Sequence, residues 1–257
     1  MATTPPSSTV SHTGPAAVNI LPNSAAQAYA HVHPTLLLAV YAIRFPALVA
    51  DPASTLLNDL PLYTALQVVY VVTCLPQAGS VHHHHTHEGD SDVGGIKPGK
   101  APYRKKHASA NNKSDTLFQK LTAAFLSLTL TLLLGTPALA LLLILFGAPF
   151  TTHNAHTILC AAHMALLSVT PLVYVHGVEG SAWKEIWAFA RPSDAVWGGA
   201  LGACLGAWLG AVPIPLDWDR PWQAYPITIL TGAYLGYALG QLIGRTPLLY
   251  GKRVEFA

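Results

Sequence analysis

The sequence predicts an all-α polytopic membrane protein with about six transmembrane helices and both termini in the cytosol. Of its 257 residues, 51% are hydrophobic and 10% are charged, whereas about 25% of the residues in soluble domains are charged. Apolar stretches of spanning length recur along the chain, and most basic residues fall on one side of the predicted membrane. The net charge of +2 is too small to indicate binding to nucleic acid.

Residues 1–32 are rich in Pro, Ser, Thr and Ala, which predicts a disordered cytosolic tail. Residues 33–77 hold the first two predicted transmembrane helices. Arg44 lies towards the end of the first helix, where we expect its guanidinium to reach the lipid headgroups. A buried functional charge is the alternative. The second helix is short, but it can cross a thin bilayer.

Residues 78–116 are interpreted as a His/Lys-rich cytosolic loop. Five histidines lie between His82 and His87, and an acidic trio and a run of Lys and Arg follow them. Histidine tracts can bind zinc or nickel, but a metal site needs fixed geometry and supporting partners. Because Gly, Ser, Pro and Lys surround this tract, we interpret the loop as a low-complexity insert and expect no metal or other cofactor.

Residues 117–178 supply the third and fourth predicted helices. The third apolar block is longer than a bilayer requires and has Gly135-Thr-Pro137 at its middle, which predicts a tilted or kinked helix. His163 lies in the fourth helix, where polar groups are often functional. Because no second acid or base stands near it, we interpret it as hydrogen-bonded to a neighbouring helix. A cytosolic loop is predicted at 179–194.

Residues 195–245 are predicted to form a helical hairpin, the fifth and sixth helices, with a cytosolic tail at 246–257. Each helix of the hairpin has a glycine at every fourth position. This spacing puts the glycines on one helical face, where they allow another backbone to approach closely. The helix-packing glycines are Gly198, Gly202, Gly206, Gly210, Gly232, Gly236, Gly240 and Gly244. The sequence leaves open whether they face each other or another protein.

Twelve of the fourteen Lys and Arg residues lie on one side of this six-helix arrangement. The exceptions are Arg44, within the first helix, and Arg220, in the turn of the hairpin. Since positively charged loops stay in the cytosol, this side is predicted to be cytosolic and the turn to be lumenal. The predicted lumenal loops are too short to form a separate catalytic domain.

The turn of the hairpin, residues 211–225, is called the corner. Its candidate residues for binding a partner or a lipid are Asp217, Trp218, Asp219, Arg220, Pro221 and Trp222. Two carboxylates this close could act as an acid–base pair or hold a cation, and either could pair with Arg220. Because no His, Cys or Ser nucleophile stands beside them, we favour structure or partner recognition and assign no catalytic or metal-binding residue.

The two glycine-rich helices also resemble each other. Residues 202–210 and 232–240 are identical at six of nine aligned positions. The helices run in opposite directions, and inverted repeats occur in transporters. A similarity made of Gly, Ala and Leu also arises from packing alone, so a transporter stays an alternative.

The corner carries a resemblance to a known family. Its run Pro213-Ile-Pro-Leu-Asp-Trp-Asp-Arg-Pro-Trp222, followed by Tyr225-Pro226 and a glycine-rich helix, resembles the PIG-F family of glycosylphosphatidylinositol (GPI) anchor biosynthesis. The resemblance is sharpest over residues 176–245. It implies a multi-pass protein of the endoplasmic reticulum membrane that acts in the addition of ethanolamine phosphate to GPI mannoses.

The resemblance further implies a non-catalytic role. Such a subunit would stabilise large GPI ethanolamine phosphate transferase subunits of the PIG-O and PIG-G kind. Membrane lipid is a further implied partner, with the GPI precursor and phosphatidylethanolamine as candidates. No catalytic residue is carried over from the family. The alternatives are a membrane enzyme that shares phosphoethanolamine transfer and a transporter of phospholipid or GPI intermediates.

Overall fold

The computed structural model describes residues 16–79, 111–216 and 218–253. Within these ranges the regular secondary structure is entirely helical, which confirms the predicted all-α architecture. The α-helices are α1 (Ser24–Ala50), α2 (Pro52–Cys74), α3 (Asn111–Leu130), α4 (Thr136–Leu145), α5 (Asn154–His176), α6 (Gly180–Trp187), α7 (Ala195–Ala211) and α8 (Ile227–Gly244). A π-helical turn, Thr131–Gly135, joins α3 to α4, and two 3₁₀ turns, Ile214–Leu216 and Pro221–Gln223, lie in the corner.

Five helical segments in the described ranges are long and apolar enough to cross a membrane: α1, the α3–α4 segment, α5, α7 and α8. The remaining long helix, α2, has 23 residues, enough for about 34 Å, but Asn58, Asp59 and Gln67 make it less apolar. It nevertheless contacts α1 at both of its ends, where Thr55 and Cys74 donate hydrogen bonds to α1 carbonyls. We therefore describe α2 as the sixth helix of the bundle.

The first helix begins at Ser24 rather than at His33, so the disordered tail predicted over residues 1–32 is too long. Asn23 caps the helix, because its side chain accepts a hydrogen bond from a first-turn backbone N–H at 2.7 Å. The alanine-rich turns that follow favour helix formation. Polar residues among those alanines lower the hydropathy of these turns, so hydropathy alone did not reveal the start of the helix. Residues 1–15 lie outside the described residues.

Three other predicted boundaries also change. The helix α3 begins at Asn111, inside the loop predicted at 78–116. The short helix α6 occupies part of the loop predicted at 179–194. The segment after α8 forms turns rather than a free tail: Ser193 and Lys252 are joined by a backbone hydrogen bond of 2.8 Å. Polar helical turns and hydrogen-bonded loops such as these have no apolar pattern that would reveal them in the sequence, which explains these differences.

The third span is irregular where the sequence predicts a kink. The π-helical turn Thr131–Gly135 ends two residues before Pro137. Proline has no backbone N–H and its ring displaces the preceding turn, so the helix widens there. The hydroxyl of Thr136 donates to the carbonyl of Thr131 at 3.2 Å, which satisfies one carbonyl of the widened turn. A side chain at Gly135 would meet Val169 of α5 at 3.0 Å, so the two helices are closely packed here.

The helix α5 forms the centre of the bundle. In its apolar segment 78% of the residues are buried, against 28% in α1 and α7. The helices α2, α7 and α8 and the α3–α4 span all pack against α5, and α1 packs on α2 and α8. The bundle is therefore a ring of helices around α5, with the corner at one end, called the corner end, and both described terminal segments at the other.

Hydrogen bonds tie Val18, before α1, and Ala30, in the second turn of α1, to residues at the start of α7 and after α8. Asp194, which caps α7, accepts a hydrogen bond from the backbone N–H of Val18 at 2.9 Å. Arg245 donates to the carbonyl of Ala30 at 2.7 Å. Both described terminal segments thus lie at the same end of the bundle, called the termini end. The assignment of this end to the cytosol is a prediction from the charge distribution.

Candidate functional site

The eight glycines of the hairpin lie at the contact between α7 and α8. The two helices are antiparallel, so each step of four residues up one helix meets a step of four residues down the other. Three glycine pairs face each other, and Thr228 and Asp194 take the partner positions at the two ends. The facing pairs are Gly198–Gly240, Gly202–Gly236, Gly206–Gly232, Gly210–Thr228 and Gly244–Asp194.

The glycine contact has no room for a side chain. A Cβ atom added to Gly206 would lie 2.8 Å from the carbonyl carbon of Gly232, and closer still to its oxygen. A Cβ on Gly202 would meet the backbone of Gly236 in the same way. Because the obstructing atoms belong to backbone rather than to movable side chains, the helices would have to separate. The glycines therefore face each other within the chain.

Gln223 holds the corner together, although the sequence analysis did not single it out. Its side-chain amide donates to the carbonyls of Pro213 and Ile214, and its side-chain oxygen accepts from the backbone N–H of Trp218 at 3.0 Å. The residue is buried, and its three bonds join both halves of the corner. The signal that could have found it is a lone amide in a Pro- and Trp-rich turn, where free backbone groups need a partner.

The corner is also tied to the central helix. Tyr225 donates a hydrogen bond to the hydroxyl of Thr157 on α5 at 2.9 Å. Burial raises the pKa of the Tyr225 phenol to about 12, so the phenol is neutral and keeps its proton for this bond at physiological pH. The corner is thus a fixed structure at this end of the bundle.

The predicted binding residues of the corner are exposed, apart from Asp217, which lies outside the described residues. Trp218 and Trp222 stand 5.9 Å apart between ring centroids at 58°, next to the exposed Asp219 and Arg220. Asp219 has a positive φ of 52°, which Asp tolerates better than most residues. The ion pair considered for Asp219 and Arg220 does not form between these two described residues.

A second polar group lies below the corner end, between α1 and α2. Arg44 Nε donates to both carboxylate oxygens of Asp59, at 2.8 and 3.0 Å. The Arg44 side chain is 41% exposed and that of Asp59 is 10% exposed. The expectation that Arg44 simply reaches the headgroups is therefore incomplete, because its guanidinium neutralises a carboxylate of the next helix. Such pairing offsets part of the cost of placing charge in a membrane.

His163 links the central helix to two neighbours. Its Nε2 donates to the carbonyl of Leu56 on α2 at 3.0 Å, and its Nδ1 therefore accepts from the hydroxyl of Tyr234 on α8 at 2.7 Å. The interpretation of His163 as a hydrogen-bonded structural residue is confirmed. With both ring nitrogens engaged, it holds α2, α5 and α8 together.

A further polar chain joins α1, α2 and α8, and sequence reasoning missed it. Gln67 accepts from His33 Nε2 at 3.1 Å and donates to the hydroxyl of Tyr237 at 3.2 Å. Gln241 donates to the same hydroxyl at 2.7 Å. His33 also stacks on Tyr70 with ring centroids 4.4 Å apart. Polar side chains inside an apolar segment were the available signal, since they pair across helices when buried in a membrane.

The described residues offer little for metal or nucleophilic chemistry. No group of three or more His, Cys, Asp or Glu is placed to hold a metal ion within those ranges. The histidine tract between His82 and His87 lies outside them. Cys74, Cys160 and Cys204 are free thiols, of which the first two are fully buried. The polar groups inside the bundle serve to join helices.

These features define a polytopic helical membrane protein with a glycine-packed hairpin and an exposed aromatic and charged corner. The chain belongs to a family described as "GPI biosynthesis protein family Pig-F", whose model matches residues 32–245. The resemblance drawn from the corner sequence is thereby confirmed. The match covers all six long helices apart from the first turns of α1, so it applies to the bundle as a whole.

Curated relatives agree with this membership. The "Glycosylphosphatidylinositol anchor biosynthesis protein 11" of Aspergillus fumigatus is 56% identical over 258 residues, covering 93% of this chain and 86% of the relative. The protein of the same name in Neurospora crassa is 45% identical and covers 92% and 80%. A human relative, "GPI ethanolamine phosphate transferase, stabilizing subunit", is 33% identical over 151 residues, or 56% of this chain and 68% of the relative. No solved structure matches the chain.

Proposed function

We propose that this chain is a non-catalytic membrane subunit that stabilises a GPI ethanolamine phosphate transferase. The observation that carries the proposal is the family match over residues 32–245, together with the human and mouse relatives, whose printed names describe a stabilizing subunit of that transferase. The role places the chain in GPI-anchor biosynthesis, at the addition of ethanolamine phosphate to GPI mannoses.

The architecture supports an accessory role. At the corner end, the connections between helices are a one-residue turn at Asp51, a loop of eight residues between Leu145 and Asn154, and the corner. None approaches the roughly 50 residues of an independent domain. Inside the bundle, His33, Arg44 and His163 are each engaged by a polar side chain of another helix. In this proposal the reacting groups belong to the partner.

The corner is the proposed polar contact with that partner. The distribution of basic residues predicts that the corner end faces the lumen, and Trp218 and Trp222 have the amphipathic rings that favour a membrane interface. Asp219 and Arg220 present both signs of charge beside them. We propose that this group contacts a large PIG-O-like or PIG-G-like subunit, or a lipid headgroup, in the endoplasmic reticulum membrane.

Removal of the chain from cells tests the stabilising role. We expect the steady-state amount of a large transferase subunit to fall several-fold, and GPI precursors that lack ethanolamine phosphate to accumulate. Affinity purification of the tagged chain from native membranes should recover that subunit, identified by mass spectrometry. Unchanged transferase abundance and unchanged GPI precursors in the deleted cells would overturn the proposal.

A change of Asp219 separates an accessory subunit from one that shares catalysis. In the Asp219→Ala variant, we expect transfer activity per molecule of recovered transferase to equal that of the wild type. Loss of activity per transferase molecule, with normal assembly, would show instead that this chain takes part in the chemistry. Arg220→Ala serves as the matched control, because it removes a neighbouring exposed charge that cannot act as a base.

A further inference from the structure

A small polar cavity lies between α1, α2, α5 and α8, beside the ion pair of Arg44 and Asp59. Its lining includes these two residues, Tyr63 of α2, His163 of α5 and Tyr234 of α8. Its volume is about 10 Å³, which is close to the smallest space that holds one water molecule. The cavity is therefore far too small for a lipid chain, and only an occupant of about the size of water fits it.

Tyr63 brings an unpartnered polar group to this cavity. Its side chain is only 2% exposed, and its hydroxyl forms no hydrogen bond with the described residues. The phenol is close enough to Asp59 and Arg44 for their charges to act on it. A buried hydroxyl without a partner is costly, so an occupant that bonds to this hydroxyl would stabilise the fold.

Other polar groups of the lining are already engaged within the bundle. His163 uses both ring nitrogens, in contacts with α2 and α8. The hydroxyl of Tyr234 bonds to His163, and that of Tyr41 bonds to a carbonyl and a hydroxyl of α8. These three side chains shape the cavity, but an occupant does not need to satisfy them.

Three groups at the cavity keep hydrogen-bonding capacity. The Tyr63 hydroxyl can both donate and accept. The Asp59 carboxylate accepts two bonds from Arg44 Nε, whereas an ionised carboxylate has about four acceptor sites. The terminal nitrogens of Arg44 are not used in that contact, and they can only donate. The site therefore asks its occupant to donate to the carboxylate and to accept from the other two groups.

This combination favours water over other small occupants. A metal cation would be repelled by the Arg44 guanidinium, and an anion would be repelled by the Asp59 carboxylate. An apolar atom would leave the Tyr63 hydroxyl unsatisfied. Water donates two hydrogen bonds and accepts two, and buried waters in proteins typically form about three.

We propose that this cavity binds one structural water molecule, which accepts a hydrogen bond from Tyr63 and donates one to the Asp59 carboxylate. The water joins the ion pair between α1 and α2 to Tyr63, whose ring packs edge-on against His163 of α5 with centroids 5.4 Å apart. It thereby solvates a carboxylate that α2 carries inside the bundle. The inference does not depend on the proposed function.

A crystal structure of the full chain, grown in a lipidic mesophase and resolving ordered water, tests the site directly. We expect one density peak within about 3.2 Å of both Tyr63 Oη and an Asp59 carboxylate oxygen. A direct hydrogen bond between Tyr63 and Asp59 that closes the cavity would overturn the proposal. An empty cavity, or an ion or detergent atom in it, would also overturn it.

The variant Tyr63→Phe provides the second measurement, because it keeps the ring and removes only the hydroxyl. Its equilibrium constant of unfolding in bicelles should rise about fivefold, the usual effect of losing one hydrogen bond. Tyr70→Phe is the matched control: the Tyr70 hydroxyl is also buried without a partner among the described residues, but Tyr70 does not line the cavity.

The two variants should therefore differ. In Tyr70→Phe the unfolding constant should stay the same or fall, since an unsatisfied hydroxyl is removed. An unchanged or lower constant in Tyr63→Phe would show that no water is bound to the Tyr63 hydroxyl. An equal rise in both variants would show that the effect is not specific to the cavity, and would likewise contradict the proposal.

Discussion

The two faces of α8 are held by different means. Towards α7, glycine faces glycine and backbone packs on backbone, with no room for a side chain. Towards α1, α2 and α5, the same helix uses Thr231, Tyr237 and Tyr234 to form hydrogen bonds. The first contact depends on the absence of side chains, and the second depends on particular side chains. The glycine contact therefore tolerates no added side chain. Single hydrogen-bonding residues can be removed from the other contact at a moderate cost in stability.

The membrane gives both means their physical basis. Lipid tails are as apolar as the helix surfaces, so helices gain little from hydrophobic burial alone and associate through close packing and interhelical hydrogen bonds. Glycine faces permit the closest packing, and dispersion attraction accumulates over many short contacts. Interhelical hydrogen bonds in membranes contribute modestly, about 0.6 kcal/mol on average. We therefore expect the glycine contact to be the more sensitive of the two.

The largest effect is expected from the change Gly206→Ala. The added methyl group would meet the backbone of Gly232 and the Cα of Gly236, at 2.8 and 2.9 Å from their nearest carbon atoms. Because backbone cannot move aside, we expect destabilisation of about 3 kcal/mol or more, at or above the usual range for overpacking. Reversible unfolding of the purified chain in detergent or bicelles measures this change.

The matched control for the glycine prediction is Gly180→Ala. A Cβ atom at Gly180 would meet nothing within 4 Å, so the change should shift stability by less than about 0.5 kcal/mol. Equal stability of the Gly206→Ala and Gly180→Ala variants would contradict the close packing of α7 on α8.

The next largest effect is an asymmetry between Arg44 and Asp59. Arg44→Leu leaves the Asp59 carboxylate, which is 10% exposed, without its cation, and we expect a loss of about 3 kcal/mol. Asp59→Leu leaves Arg44, which is 41% exposed and can turn towards water or headgroups, so we expect a loss of about 1 kcal/mol or less. The double variant should recover part of the Arg44→Leu loss. Equal losses in the two single variants would show that burial of the carboxylate does not control the cost.

A smaller effect is expected from Tyr237→Phe. The phenol oxygen accepts hydrogen bonds from Gln67 and Gln241, and its removal should cost about 1 kcal/mol. Tyr70→Phe is the control, since the Tyr70 hydroxyl is buried without a hydrogen-bond partner among the described residues. Removal of an unsatisfied buried hydroxyl should be neutral or stabilising. A larger loss in the Tyr70 variant than in the Tyr237 variant would contradict the assigned network.

The sequence predicted the helices and the glycine hairpin well, because hydropathy and four-residue spacing are local properties. It did not predict that Gly206 faces Gly232, since spacing alone cannot identify the opposing surface. The pairing of Arg44 with Asp59 was also missed. Each residue was visible as a charge in an apolar segment, but their contact depends on the turn at Asp51 that brings the two helices together.

The candidate site likewise has features that the sequence shows and features that only the structure shows. The corner stands out in sequence because its Pro, Trp and Asp composition is unusual, yet its central residue, Gln223, is recognisable only from the three bonds it forms.

The smallest predicted effect is a dependence of stability on pH. It comes from Asp51, which lies in the turn between α1 and α2. Asp51 caps α2 and accepts a hydrogen bond from the backbone N–H of Ser54 at 3.2 Å. Hydrogen bonds from the hydroxyl and backbone of Ser54 lower the pKa of the Asp51 carboxyl below its ordinary value of 3.8. A carboxyl whose pKa is lower in the folded state stabilises the fold above its unfolded pKa, and this contribution is lost as the pH falls through the folded value.

The wild-type chain should therefore lose slightly more thermal stability between pH 6 and pH 3 than an Asp51→Asn variant. Asparagine keeps the capping oxygen but does not titrate. The wild-type and Asp51→Asn chains should therefore be nearly equal in stability at low pH and differ only at higher pH. Thermal unfolding midpoints of both chains across this pH range measure the difference. The glycine contact contains no titratable side chain apart from Asp194 at its end, so Gly206→Ala should not alter this pH dependence. A change in its slope would show that the packing of α7 on α8 and the capping of α2 are coupled through α8 and α1.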